Sequence, residues 1–128
     1  MRLLLDTVTF LWTILGDPQL SAAARAAIAD PGNESFLSAV SATEIAIKHG
    51  LGRLKLPQSP DLYIPRVRKA HRIESLPFSE EAALGLVRLP AIHKDPFDRM
   101  LVAQAIAEGM TVVTPDPLVT QYAVRTLW

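Results

Sequence analysis

Residues 3–12 read LLLDTVTFLW. The three leucines form an apolar run that Asp6 stops well short of helical length, so residues 2–6 read as a strand. The second apolar run, TVTFLWTIL, sets Phe10, Leu11, Ile14 and Leu15 at helical spacing before Gly16 and Pro18 end it. Asp6 therefore stands at a strand–helix junction between two segments that require burial. It is either a helix cap or a functional carboxylate at the edge of a sheet. A carboxylate so close to a core needs a partner.

The alternation continues along the chain. Ser21 precedes AAARAAIAD, a helix by propensity that Pro31 and Gly32 terminate. SFLSA (35–39) reads as a second strand, and Ser41 as the cap of ATEIAIKHGLG with Glu44 at the capping-box position. PDLYIPRVRKAH (60–71) suggests a helix that begins in earnest near Pro65, and IESLP (73–77) a third strand. Ser79 opens EEAALGLVRL as a helix. Asp95 and Pro96 start PFDRMLVAQAIAEG, with Gly109 at its end, and the β-branched MTVVT (110–114) is the clearest strand. A brief helix around 117–122 and an edge strand in VRTLW complete the series. Strands separated by helices imply an α/β fold: a parallel sheet with helices on both faces. The length suits one domain, residues 1–128, with no repeat, low-complexity tract or linker.

Composition narrows the function classes. There is no cysteine, which excludes disulfide and thiolate chemistry and suits a reducing compartment. No apolar run reaches the roughly eighteen residues of a membrane span. Asp6 interrupts the opening run and no small-residue cleavage site follows closely, so no secretion signal is expected. A cytoplasmic protein without membrane association is the expectation. Net charge is zero, but residues 46–72 carry Lys48, Arg53, Lys55, Arg66, Arg68, Lys69 and Arg72 against Asp61 alone. That segment sums to +6 and the remainder to −6. Such a split suits a polyanion-facing surface beside an acidic pocket, with Arg66, Arg68 and Lys69 as candidate polyanion contacts, although a solvated basic helix has the same pattern.

In open parallel sheets, ligands collect beyond the carboxyl ends of the strands, where strand order reverses. Asp6 closes the first strand, and Asp116 follows MTVVT just after Thr114 and Pro115. Glu44 and Asp98 fall near the starts of helices expected at that same edge. Local roles stay open for three of them: Asp98 behind the Asp95 cap, Glu44 as capping partner of Ser41, Asp116 as a turn residue between prolines. Converging carboxylates repel one another, and hard divalent cations offset that repulsion through oxygen ligands. His49, His71 and His93 have no zinc-like spacing and His93 reads as a loop residue, so Mg2+ or Mn2+ is the natural cofactor. Such a cation would orient a phosphodiester and lower the pKa of a coordinated water, which attacks phosphorus in line with the departing 3′ oxygen. Thr7 and Thr114 are placed to bond a carboxylate or phosphate. Lys48, four residues beyond Glu44, is an ion-pair partner or a phosphate contact, and Arg99 a second phosphate candidate.

These blocks resemble the PIN domain, specifically the small ribonuclease toxins of bacterial toxin–antitoxin pairs, the VapC family. LLLDTVTFLW resembles the family's opening block and puts its first metal-binding aspartate at Asp6. LSAVSATEIAIKHGLGRLKL resembles the second, with the family glutamate at Glu44. HKDPFDRMLVAQAIAEG resembles the third, with Asp98 as the acid and Asp95 in support. MTVVTPDPLVTQY resembles the fourth, with Asp116 as the acid and Thr114 as its hydroxyl. One departure is visible: this subgroup often reads Asp-Thr-His where the chain has Asp6-Thr7-Val8, so any role of that histidine is absent here. The resemblance implies a three-layer α/β/α sandwich and Mg2+- or Mn2+-dependent endonucleolytic cleavage of RNA. It also implies restraint by a cognate antitoxin and a homodimer. The alternative is a catalytically inactive PIN-like or receiver-like module that acts through a protein partner. A phospho-aspartate phosphatase would want an acid at position 8, and a dinucleotide-binding domain a glycine within residues 7–12; neither is present.

Overall fold

The computed structural model describes residues 1–128. Five strands form one wholly parallel sheet: β1 (Arg2–Leu5), β2 (Glu34–Ser38), β3 (Ile73–Leu76), β4 (Thr111–Val113) and β5 (Thr126–Leu127). Their spatial order is β3-β2-β1-β4-β5. Six helices accompany them: α1 (Thr7–Leu15), α2 (Ala22–Ala29), α3 (Ala39–Gly50), α4 (Pro60–Ala70), α5 (Glu80–Leu84) and α6 (Pro96–Glu108).

The leucine triplet lies in the central strand. Leu3, Leu4 and Leu5 are all fully buried, which a strand achieves only when both faces of its sheet are covered. Leu3 and Leu5 join a core with Phe10 of α1, Ala24 of α2, Ile45 of α3 and Ile64 of α4. Leu4 joins the opposite core with Leu101, Val102 and Ala105 of α6. Burial of each such side chain contributes about 2 kcal/mol, so the unbroken apolar run is what demands two helical layers. The expected three-layer α/β/α sandwich is the fold.

Several boundaries differ from those the sequence suggests. Ser38, not Ser41, caps α3, its Oγ accepting the Val40 N–H at 3.0 Å. β2 turns directly into the helix, so Ser41 is a buried first-turn residue and Glu44 completes no capping box with it. α4 begins at Pro60 rather than near Pro65. Pro60 fits a first turn, while Pro65 sits inside the helix and forfeits a backbone hydrogen bond; burial of Tyr63 and Ile64 outweighs that loss. EEAALGLVRL divides into α5 and a 3-10 turn over Gly85–Arg88, and a 3-10 turn over Val119–Gln121 stands for the brief late helix.

From β1 the chain steps outward to β2 and then β3, and only then crosses to β4 and β5 on the other side of β1. The strand order thus reverses between β1 and β4, and in parallel sheets ligands bind beyond the carboxyl ends of such a strand pair. The Asp6 N–H donates to the Val113 carbonyl at 3.2 Å and closes that pair of strand ends. No helix is long and apolar enough to cross a membrane.

Candidate active site

Asp6 turns out to be both things its position allows. It caps α1, Oδ1 accepting the Thr9 N–H at 2.9 Å, and its Oδ2 accepts from the Thr114 hydroxyl at 2.5 Å. Thr114 Oγ1 in turn accepts the Asp116 N–H at 3.0 Å, so one hydroxyl links the acids that follow β1 and β4. Thr9 braces the junction by donating from Oγ1 to the Val113 carbonyl at 2.9 Å. Asp6 is 5% exposed, and burial pushes its carboxyl above the ordinary value against the opposing hydrogen bonds of Thr114 and Thr9. The charge of Asp116 adds to the upward push.

Glu44 enters from the second turn of α3. Its Oε1 accepts from Thr7 Oγ1 at 2.6 Å, and its Oε2 pairs with Lys48 Nζ at 2.5 Å. Thr7 Oγ1 also lies 3.0 Å from Ser41 Oγ, which is the buried use of the serine that does not cap the helix. The Glu44 carboxylate holds the Lys48 ammonium above its usual value, and the charges of Asp95 and Asp98 act in the same direction.

The third group lies where α6 starts. Asp95 caps that helix, its Oδ1 accepting the Phe97 N–H at 2.8 Å. Asp98, one turn in, is left for other work. His93 Nε2 stands 2.7 Å from Asp116 Oδ2 and 3.3 Å from Asp98 Oδ2. One atom from each of His93, Asp98 and Asp116 lies within 4.8 Å of the others. Burial, followed by the charge of Asp95, pushes the Asp98 carboxyl up to about 7; His93 opposes this, and Asp6 and Glu44 add to it.

The structure therefore brings Asp98 and Asp116 close together, ties Asp6 to Asp116 through Thr114, and flanks them with Glu44 on the Thr7 side. The Asp98 carboxyl, pushed up to about 7 by burial first and then by neighbouring acids, marks a cluster short of positive charge, and the nearest ammonium, Lys48, is paired with Glu44. A carboxylate-rich donor set of this kind fits a hard divalent cation.

Sequence reasoning missed His93. The spacing of His93 to Asp95 hints at a local turn, and the Asp95 N–H does donate to His93 Nδ1 at 3.1 Å. Its approach to Asp116 is a tertiary contact with no local signal. Tyr122 was missed for the same reason; its hydroxyl accepts the His93 N–H at 2.8 Å. Arg99 is turned to this scaffold, donating to the Pro90 carbonyl at 2.9 Å and approaching Tyr122 Oη at 3.3 Å. Arg66 is bonded to Gln58 and lies over the Tyr63 ring, and Arg68 donates to the Ile73 carbonyl. Lys69 is exposed near the end of α4, which runs toward the amino edge of β3 and so away from the acids. Val8 lines a cleft of about 260 Å³ with Leu11, Leu54, Lys48 and Arg53 beside Thr7 and Glu44.

A family model described as the PIN domain matches residues 3–124, and the chain belongs to that family. Solved structures share its fold across nearly the whole chain. VapBC2 from Rickettsia felis, bound to a DNA fragment from its promoter, aligns with a TM-score of 0.73 and 17% identity over 98% of this chain and 97% of that one. DNA-bound VapBC from Salmonella typhimurium aligns with a TM-score of 0.68 and 20% identity over 98% and 96%. The PIN domain endonuclease Utp24 aligns with a TM-score of 0.52 and 16% identity over 94% and 74%. A comparison with curated proteins gives no match.

Proposed function

We propose that this chain is a divalent-metal-dependent endoribonuclease and the toxin of a VapC-type toxin–antitoxin pair. The observation that carries the proposal is the closeness of Asp98 and Asp116 at the strand-order reversal, with Asp6 tied to Asp116 through Thr114 and with Glu44 beside them. Asp98 and Asp116 would hold Mg2+ or Mn2+ through their carboxylate oxygens, with Asp6 and Glu44 alongside. A bound cation of this kind supplies Lewis acidity and an activated water at neutral pH.

The protein's own groups do the rest. Thr114 and the Thr9 amide fix the Asp6 carboxylate while leaving a lone pair on each oxygen. Thr7 does the same for Glu44 Oε1. Lys48 is about half exposed at the rim and is the cation best placed to meet a scissile phosphate. Val8, in place of a polar residue, gives the adjoining cleft an apolar wall and leaves proton transfer to other groups.

Membership in the PIN family and the likeness to VapBC complexes support a cognate antitoxin as partner. Exposed Leu15 on α1 and Ile47 on α3 offer it apolar surface. A cytoplasmic homodimer acting on RNA completes the proposal. A phosphoacceptor role for Asp6 is disfavoured because that carboxylate is buried and both of its oxygens are bonded. The test is a titration with Mn2+ joined to a cleavage assay on total RNA. Binding of Mn2+, with cleavage that Asp6→Asn abolishes, is the expected outcome. A protein that neither binds nor is stabilised by millimolar Mn2+, and whose Asp6→Asn variant still cleaves, refutes the proposal.

A further inference from the structure

The group of His93, Asp98 and Asp116 has the composition of a three-ligand metal site, yet its hydrogen bonds give the histidine a different part. The Asp95 N–H donates to His93 Nδ1 at 3.1 Å, so that nitrogen presents its lone pair and the ring proton rests on Nε2. Nε2 is the atom that faces Asp116 Oδ2 at 2.7 Å and Asp98 Oδ2 at 3.3 Å. A ring nitrogen that carries its proton has no lone pair for a metal. The ring is also held in place: its side chain is 12% exposed, and the His93 backbone N–H donates to Tyr122 Oη at 2.8 Å. His71 provides the opposite case within the same chain. Its Nδ1 lies 2.9 Å from the Val67 carbonyl, an acceptor only, so its proton rests on Nδ1.

We infer that His93 is a positioning residue whose Nε2–H, fixed by the Asp95 amide at Nδ1, orients the Asp116 and Asp98 carboxylates toward a cation without ligating it. The inference rests on the reading of those two acids as metal-binding. Carboxylates pinned by a neighbouring donor lose less freedom when they close on an ion, and loss of such a partner lowers metal affinity by about 10- to 100-fold in comparable sites. With His93 outside the coordination shell, the cation meets oxygen alone, which favours hard divalent ions over Zn2+.

The experiment is nitrogen NMR of the full chain carrying 15N-labelled histidine, at a pH where free imidazole is neutral, without metal and with saturating Mg2+. Loss of a resonance in His93→Gln assigns the residue, and His71 serves as the internal standard for the Nδ1–H tautomer. The expected result is an Nε2–H tautomer for His93 in both conditions. Calorimetry with Mn2+ runs beside it: His93→Ala is expected to weaken binding at least tenfold. His93→Gln, whose amide can still donate to Asp116, is expected to recover most of that loss. An Nδ1–H tautomer without metal, or displacement of the Nε2 proton when Mg2+ binds, overturns the assignment while leaving the metal site standing. A titration in which neither resonances nor heats respond to Mg2+ or Mn2+ overturns the metal reading and this inference with it. The wild-type spectrum decides the tautomer even if His93→Ala fails to fold.

Discussion

Replacing Asp98 by asparagine is expected to stabilise the metal-free protein while destroying its activity. The Asp98 carboxyl stands at about 7 in the folded chain against 3.8 in the unfolded one. Between those values the native state keeps a proton that the unfolded state has lost, so stability falls as pH rises through that window. Each pH unit of difference corresponds to about 1.4 kcal/mol, which makes the full penalty on the order of 4 kcal/mol above pH 7. The side chain is 23% exposed, so solvent screening lowers this figure, to about 2–4 kcal/mol. The asparagine side chain would still accept from His93 but carries no charge to repel Asp95, Asp6 or Glu44. Urea unfolding in EDTA should therefore show Asp98→Asn more stable than wild type by about 2–4 kcal/mol at pH 8.5, and by less than about 1 kcal/mol at pH 4. Saturating Mg2+ should reverse the order at pH 8.5, because only the wild type gains binding energy. An asparagine variant that is less stable at pH 8.5, or equally stabilised at both pH values, would show that burial and the neighbouring acids do not penalise the Asp98 carboxylate.

Other expectations follow from single contacts. Asp6→Asn keeps the cap to Thr9, whereas Asp6→Ala loses it and should be less stable than Asp6→Asn by about 1 kcal/mol; both should be inactive. Equal stability of the two variants would mean the cap contributes nothing. Lys48→Met frees Glu44 Oε2 and removes a cation from the cluster, so Mn2+ affinity should rise several-fold by calorimetry while RNA cleavage falls. A drop in both would place Lys48 in a purely structural role. Leu4→Ala, in the central strand at full burial, should cost about 2–5 kcal/mol by denaturant unfolding; a cost under 1 kcal/mol would contradict the two-sided core.

The leucine triplet, the β-branched MTVVT and the caps at Asp95 and Gly109 made the parallel sheet and α6 legible, because each signal is local and agrees with its tertiary setting. The start of α3 was misplaced because Ser38 and Ser41 both suit a cap, and what selects Ser38 is the direct turn from β2. The start of α4 was misplaced because burial of Tyr63 and Ile64 keeps Pro65 in a helix that propensity would end. At the site, the edge positions of Asp6 and Asp116 and the Glu44–Lys48 spacing could be read from the chain. The bond from Thr114 to Asp6 spans 108 positions and that from His93 to Asp116 spans 23, and neither leaves a trace in local pattern.

In the proposed function these acids hydrolyse RNA with a divalent cation. The most direct measurement is the chemistry of the ends left on total RNA by purified wild type and by Asp6→Asn, with Mn2+ and with EDTA. Departure of the 3′ oxygen leaves 5′-phosphate and 3′-hydroxyl ends, which should appear only for wild type with Mn2+. Cleavage that persists in EDTA and leaves 2′,3′-cyclic phosphates would contradict the account.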